Sequence, residues 1–173
     1  MKQEKKRGVL PYFLLIAALV GLDQLVKWLI RTNIPLYGSV DLIPRMMDLT
    51  YVQNTGAAFS IFSTHTWALA LLSAVVSAGL VYLLIRSARA PFLWKSALSL
   101  VIAGAVGNLI DRAFLGFVTD MFRTLFIDFA VFNVADICIT VGGVLCAVYM
   151  VFFAEKKPEE QEDTAHGGGH AEG

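Results

Sequence analysis

Four apolar stretches, at about residues 8–30, 67–85, 94–110 and 130–153, constrain this chain more than any other feature. Each approaches the roughly 20 residues that a helix needs to cross a bilayer. A backbone facing lipid must satisfy its own hydrogen bonds, so such stretches become helices. The 173 residues are 57% hydrophobic and 16% charged, too apolar for an ordinary soluble domain of this size. The chain reads as an all-α membrane protein: one domain over 1–154 with four transmembrane helices. A polar tail over 155–173, with Pro, Glu and Gly, is expected to be disordered and cytoplasmic.

Charge placement orients this model. Fourteen basic residues balance fourteen acidic ones, so distribution matters more than net charge. Nine of the fourteen Lys and Arg fall in the first seven residues, the 86–95 loop and the 156–157 pair, all on one side of a four-span chain. Positive charge collects on the cytoplasmic side, which places both termini there. The basic start before an apolar run also fits a secretory signal peptide. Apolar character resumes after Asp23, through Trp28 and Ile30, so the first span reads as retained. No basic stretch interleaved with aromatics suggests nucleic acid as a partner.

Two longer segments then lie outside. In residues 31–66, Pro35 and Pro44 exclude a single helix, and the β-formers of Asp48–Phe62 predict short strands, a small β-like extracytoplasmic cradle on the membrane surface. Among them stands Asn54-Thr55-Gly56-Ala57-Ala58-Phe59, whose small residues let another backbone approach; alone it reads equally as a turn. The second outer segment, 113–129, carries Asp120, Arg123 and Asp128, and its Leu125, Phe126 and Ile127 suggest that it dips into the interface.

Polar residues inside the spans are costly, about 2.5–3.5 kcal/mol for a charge at the bilayer centre, and mark function or pairing. Asp136 is the lone carboxylate of the last span, with Asn133 three residues earlier on the same helical face. Its bland reading is an Asp that caps the helix or reaches the interface. Asp23 and Lys27 are spaced for an i,i+4 ion pair, read first as self-neutralising and otherwise as a brace for a site. In Gly107-Asn108-Leu109-Ile110-Asp111-Arg112, Asn108 and Arg112 share a face; the ordinary reading is an interfacial Asp-Arg anchor. Cys138 and Cys146, ~12 Å apart along one helix, cannot pair with each other. No Cys/His cluster has metal-ligand spacing, and His166 and His170 sit in the polar tail.

Asn54, Asp120 and Asp136 all fall on the outer side. The connection between Asp120 and Asp136 can fold back to bring them together, although Asp111 or Asp128 could take the place of Asp120. Two close carboxylates in a low-dielectric site share a proton. The ionised member can activate water; the protonated one can polarise a carbonyl and later protonate a leaving amine. A four-span transporter with an intramembrane acid is the competing class. It leaves two long outer segments unexplained, as does a purely structural subunit.

Taken together, Asp23 and Lys27, Asn54–Phe59, Gly107–Arg112, Val118-Thr119-Asp120 and Phe132-Asn133-Val134-Ala135-Asp136 resemble the bacterial lipoprotein signal peptidases (signal peptidase II), in order over about residues 10–153. The resemblance implies an aspartic endopeptidase of the inner membrane that cleaves prolipoproteins before a diacylglyceryl-modified cysteine. It implies Asp120 and Asp136 as the catalytic dyad. Asn54, Gly56, Asn108, Arg112 and Asn133 would hold substrate and order the dyad, with Asp23 and Lys27 in support. It implies no metal and no cofactor. Its partners would be diacylated prolipoproteins and membrane lipid, with the enzyme a monomer. Thr119 departs from the pattern, standing where an apolar residue is common, and so does Ile137-Cys138 after the last Asp.

Overall fold

The computed structural model describes residues 8–56 and 66–153. The basic residues Lys2, Lys5, Lys6 and Arg7, Ala57 to Phe59, Ile61, Phe62 and the 155–173 tail with His166 and His170 lie outside the described residues.

Among the described residues, four helices are long and apolar enough to cross a membrane: α1 (Leu10–Asn33), α2 (Thr66–Arg86), α3 (Phe92–Leu115) and α4 (Val134–Phe152). Of these α3 has the lowest mean hydropathy, 1.5, and the largest buried share, 44%. Both follow from its central place, packed against the other three helices. A helix enclosed by protein can carry polar side chains that find partners there, whereas α2, with 11% buried, presents an apolar surface. Tyr12, Ile16, Leu84, Leu98, Ile102 and Ala103 form the core where α1, α2 and α3 meet.

Two glycines of α3 set how closely its neighbours approach. A Cβ on Gly107 would stand 2.6 Å from Asp23 Oδ2, and one on Gly104 would collide with the Ala135 carbonyl oxygen. These positions admit the carboxylate of α1 and the first turn of α4, the two features on which the site depends.

The third helix runs five residues past the boundary expected from hydropathy, ending at Gly116 in the left-handed region (φ 80°). Asp111 and Arg112 do not stop it. Asp111 is 1% exposed and fully partnered inside the protein, so its polarity is no reason for the chain to leave the helix.

The β layer is a three-stranded antiparallel sheet in the order β1 (Ser39–Ile43), β2 (Met47–Asn54), β3 (Val118–Thr124). Strand β2 lies where strands were expected. Strand β3, however, occupies a segment expected only to dip into the interface; its first four residues are buried. Pairing places Asp120 opposite Val52 and Val118 opposite Asn54. The chain then folds back, with Phe122 bridging to Phe132, and exposes Leu125, Phe126, Ile127 and Phe129 on the way. Ile30, Ile34, Tyr51 and Met121 pack the sheet onto the end of α1.

Candidate active site

The start of α4 is built by a reciprocal cap. Asn133 is the N-cap, in extended conformation, and its Oδ1 accepts from the Asp136 backbone N–H at 2.9 Å. Asp136 Oδ2 in turn accepts from the Asn133 N–H at 3.1 Å. A capping box satisfies two otherwise orphaned donors and puts a carboxylate at the positive end of the helix. The expectation that Asn133 and Asp136 share a helical face is thus corrected: Asn133 precedes the helix, and the spacing of three serves the cap.

The other Asp136 oxygen, Oδ1, accepts from Asn108 Nδ2 at 2.8 Å. Asn108 has no freedom in this. Its Oδ1 already accepts from Lys27 Nζ at 2.9 Å and Asn133 Nδ2 at 3.1 Å, so its amide nitrogen must face Asp136. Asn133 Nδ2 also donates to Asp120 Oδ1 at 2.7 Å, and Asn54 Nδ2 donates to Asp120 Oδ2 at 3.0 Å. One asparagine therefore bonds both carboxylates, to Asp120 through its side chain and to Asp136 through its backbone.

Asp120 is 3% exposed. Burial pushes its carboxyl from the ordinary 3.8 to about 6; the Asn54 hydrogen bond opposes this, and the charge of Asp136 adds to it. Asp120 and Asp136 both line a cavity of about 510 Å³. Asn54, Asn108 and Arg112 line its polar end, and Val131, Ile137, Ile139 and Val141 contribute to an apolar wall. Gly56 is not among the lining residues but bonds to two of them: its N–H donates to Asn54 Oδ1 at 3.0 Å and its carbonyl accepts from Arg112 Nη2 at 3.3 Å. Arg112 Nε is buried without a hydrogen-bond partner among the described residues.

Behind this lies a second polar cluster. Lys27, fully buried, meets Asp23 Oδ2 at 2.9 Å and Asp111 Oδ2 at 3.5 Å. Asp23 Oδ1 accepts from the Ala135 N–H of α4 at 2.9 Å. The i,i+4 pair read first as self-neutralising is therefore also a tie between α1, α3 and the residue next to Asp136. Asp111 and Asp128, the sequence alternatives to Asp120, take other places: Asp111 lies within this second cluster and Asp128 is exposed.

Sequence reasoning gave no role to three residues of the surroundings. Gln24 donates to Asp111 Oδ1 at 3.2 Å and to the Gly107 carbonyl at 3.1 Å. Arg31 and Thr119 are joined by a hydrogen bond. The available signal was that Gln24, Lys27 and Arg31 repeat at i, i+3 and i+7 along one face of α1. Among the described residues, no group of three or more His, Cys, Asp or Glu is placed to hold a metal ion.

Comparison with known proteins finds relatives over most of the chain. The family model described as Signal peptidase (SPase) II matches residues 15–152. A lipoprotein signal peptidase of Enterococcus faecalis is 39% identical over 158 residues, covering 91% of this chain and 98% of the relative. One from Streptococcus pneumoniae is 44% identical over 147 residues, 85% of this chain and 95% of the relative. A bacterial membrane enzyme solved by the in meso method superposes with a TM-score of 0.79 at 32% identity, over 87% of this chain and 93% of that one. With helices, sheet and sequence in agreement over most of its length, the chain belongs to the signal peptidase II family.

Proposed function

We propose that Asp120 and Asp136 are the dyad with which this membrane aspartic endopeptidase removes the signal peptide from prolipoproteins. The observation that carries the assignment is their shared cavity and shared asparagine: Asn133 holds one oxygen of each carboxylate, at 2.7 and 3.1 Å. Among the described residues, the hydrogen-bond donors to the two carboxylates are side-chain amides and a backbone N–H. These donors orient the carboxylates, while the burial of Asp120 and the neighbouring charge of Asp136 favour keeping one proton on the pair. The ionised carboxylate takes a proton from water, which attacks the scissile carbonyl; the protonated one bonds that carbonyl oxygen and then protonates the leaving amine. A substrate filling the cavity expels water, which further disfavours a second ionisation.

Arg112 Nε, buried and unpartnered among the described residues, is suited to hold a substrate carbonyl at the polar end. Asn54 and Gly56 would border the substrate backbone. The apolar wall of α4 suits the lipid-modified residue and the apolar signal segment. A soluble enzyme would have to lift the acyl chains from the bilayer at about 0.8 kcal/mol per CH₂; a site beside the spans avoids this. The concentration of nine of fourteen basic residues on one side supports cytoplasmic termini and a site at the outer face of the cytoplasmic membrane. We read residues 1–154 as the peptidase domain and expect a monomer.

The test uses purified enzyme in lipid with one precursor in diacylated and unmodified forms, and mass spectrometry of the products. Cleavage of the diacylated form immediately before the modified cysteine, with one ¹⁸O atom from labelled water in the released signal peptide, is the expected result. Equal cleavage of the unmodified precursor would overturn the substrate reading.

A further inference from the structure

Asp120 is held between two anchored neighbours on β3. On its C-terminal side, Met121 is fully buried and its N–H donates to the Phe132 carbonyl at 3.0 Å. On its N-terminal side, Thr119 is fully buried and its N–H donates to Asp111 Oδ2 at 2.8 Å. The Thr119 hydroxyl also has a partner: Arg31 Nη1, from the last turn of α1, donates to Oγ1 at 3.0 Å. The same Nη1 lies 3.8 Å from Asp111 Oδ1. One guanidinium therefore faces both the side chain of Thr119 and the carboxylate that holds its backbone. Arg31 is 22% exposed at the side chain, so it reaches in from the end of the helix.

Side chains alternate along a strand, so Thr119 points towards α1 and α3 while Asp120 points into the cavity. A contact on the Thr119 side sets the rotation of the strand and hence the aim of the Asp120 carboxylate. Catalytic geometry is sensitive to this, since a displacement of about 1 Å can cost about 100-fold in rate. Neither Arg31 nor Thr119 is among the residues lining the cavity.

We infer that Arg31 and Thr119 form a latch between α1 and β3 that aims Asp120 at Asp136, and that both are positioning residues for the cleavage step. The inference rests on the reading of Asp120 as a member of the dyad. Acting behind the site, the latch affects turnover and leaves substrate binding alone.

The test compares Arg31→Met, Thr119→Val, the double variant, Arg31→Lys, Thr119→Ser and Asp120→Asn as full chains in lipid, with a diacylated prolipoprotein. Arg31→Met and Thr119→Val are each expected to lower kcat about three- to tenfold, a modest loss of transition-state stabilisation. KM should stay within about twofold and the thermal midpoint within a few degrees. The double variant should fall no further than the worse single one, since both break one interaction. Arg31→Lys and Thr119→Ser, which keep a donor and an acceptor, should retain most of kcat. Unchanged kcat in both single variants, with Asp120→Asn inactive, would overturn the latch and leave the dyad standing. A kcat that falls in step with the thermal midpoint and additively in the double variant would also overturn it, as a merely structural contact. Full cleavage by Asp120→Asn would remove the dyad reading and the latch with it.

Discussion

The protein holds two pairs of aspartates side by side, with Asp23, Asp111 and Asp120 buried and Asp136 half-buried, and they are wired differently. Asp23 and Asp111 share the ammonium of Lys27, at 2.9 and 3.5 Å, and take backbone N–H groups from Ala135 and Thr119. Asp120 and Asp136 are bonded by Asn54, Asn108 and Asn133, all neutral. A shared cation ties the first pair into the frame, whereas among the described residues the second pair is hydrogen-bonded by neutral donors and lines the cavity. The first pair ties α1, α3, α4 and β3 into one frame; the second faces the cavity. Asn108 joins them, accepting from Lys27 and donating to Asp136. The same residue type thus serves as scaffold or as reagent according to what surrounds it.

The largest effect expected from breaking this distinction is on the cavity side. Asp136→Ala removes one half of the proposed dyad, and turnover of a diacylated prolipoprotein should fall by about 10³-fold or more, the scale of general acid–base catalysis. The second effect is on the frame. Lys27→Met leaves two buried carboxylates without their cation, at a cost of about 3–5 kcal/mol in folding stability. Thermal unfolding in lipid should show it, and adding Asp23→Asn and Asp111→Asn should recover part of the loss.

A smaller effect sharpens the comparison. Asn54 donates to Asp120 and so favours its ionised form. Asn54→Ala should raise the value at which the pair gives up its last proton, and the alkaline limb of kcat/KM should move to higher pH. A limb that stays in place or moves down would count against Asp120 as the titrating group. The smallest effect lies in the sheet, where Arg123 holds the Asp48 carboxyl below its usual range. A depressed carboxylate contributes stability above its unfolded value and loses it as pH falls through the folded one. Asp48→Asn should therefore narrow the difference in thermal midpoint between pH 7 and pH 3, measurably but slightly, because Arg123 is half exposed.

Much of this was legible in the chain because hydropathy and spacing are local signals. The four spans follow from residue type alone, and polar residues inside them stand out by cost. The sheet was harder to read. Strand β1 is exposed at every position and so lacks the alternation that marks a half-buried strand. Strand β3 combines Thr119 and Asp120 with Met121, a pattern that makes sense only once α1 and the cavity are on opposite sides of it. Asn133 and Asp136 were found by their spacing, but the same interval fits a shared helical face or a capping box, and the extended backbone of Asn133 decides for the cap. The pairing of Arg31 with Thr119 spans 88 positions and leaves no trace in local pattern.

The most direct test of the account crosses one aspartate from each pair: Asp120→Asn and Asp111→Asn, each assayed for cleavage and for thermal unfolding at pH 8. Burial shifts the Asp120 carboxyl upward to about 6, so its ionisation weighs against folding between its ordinary value and pH 6, by about 2–3 kcal/mol in all. Asparagine cannot ionise. Asp120→Asn should therefore lose cleavage while its unfolding midpoint stays within a few degrees of the parent, the relief of the buried charge being offset by an amide NH2 that meets the donor of Asn54 or Asn133. Asp111→Asn, which disturbs the hold on Lys27 and Thr119, should lower the midpoint while its folded fraction still cleaves. An active Asp120→Asn enzyme, or an inactive Asp111→Asn enzyme with an unchanged midpoint, would contradict the division between reagent and scaffold.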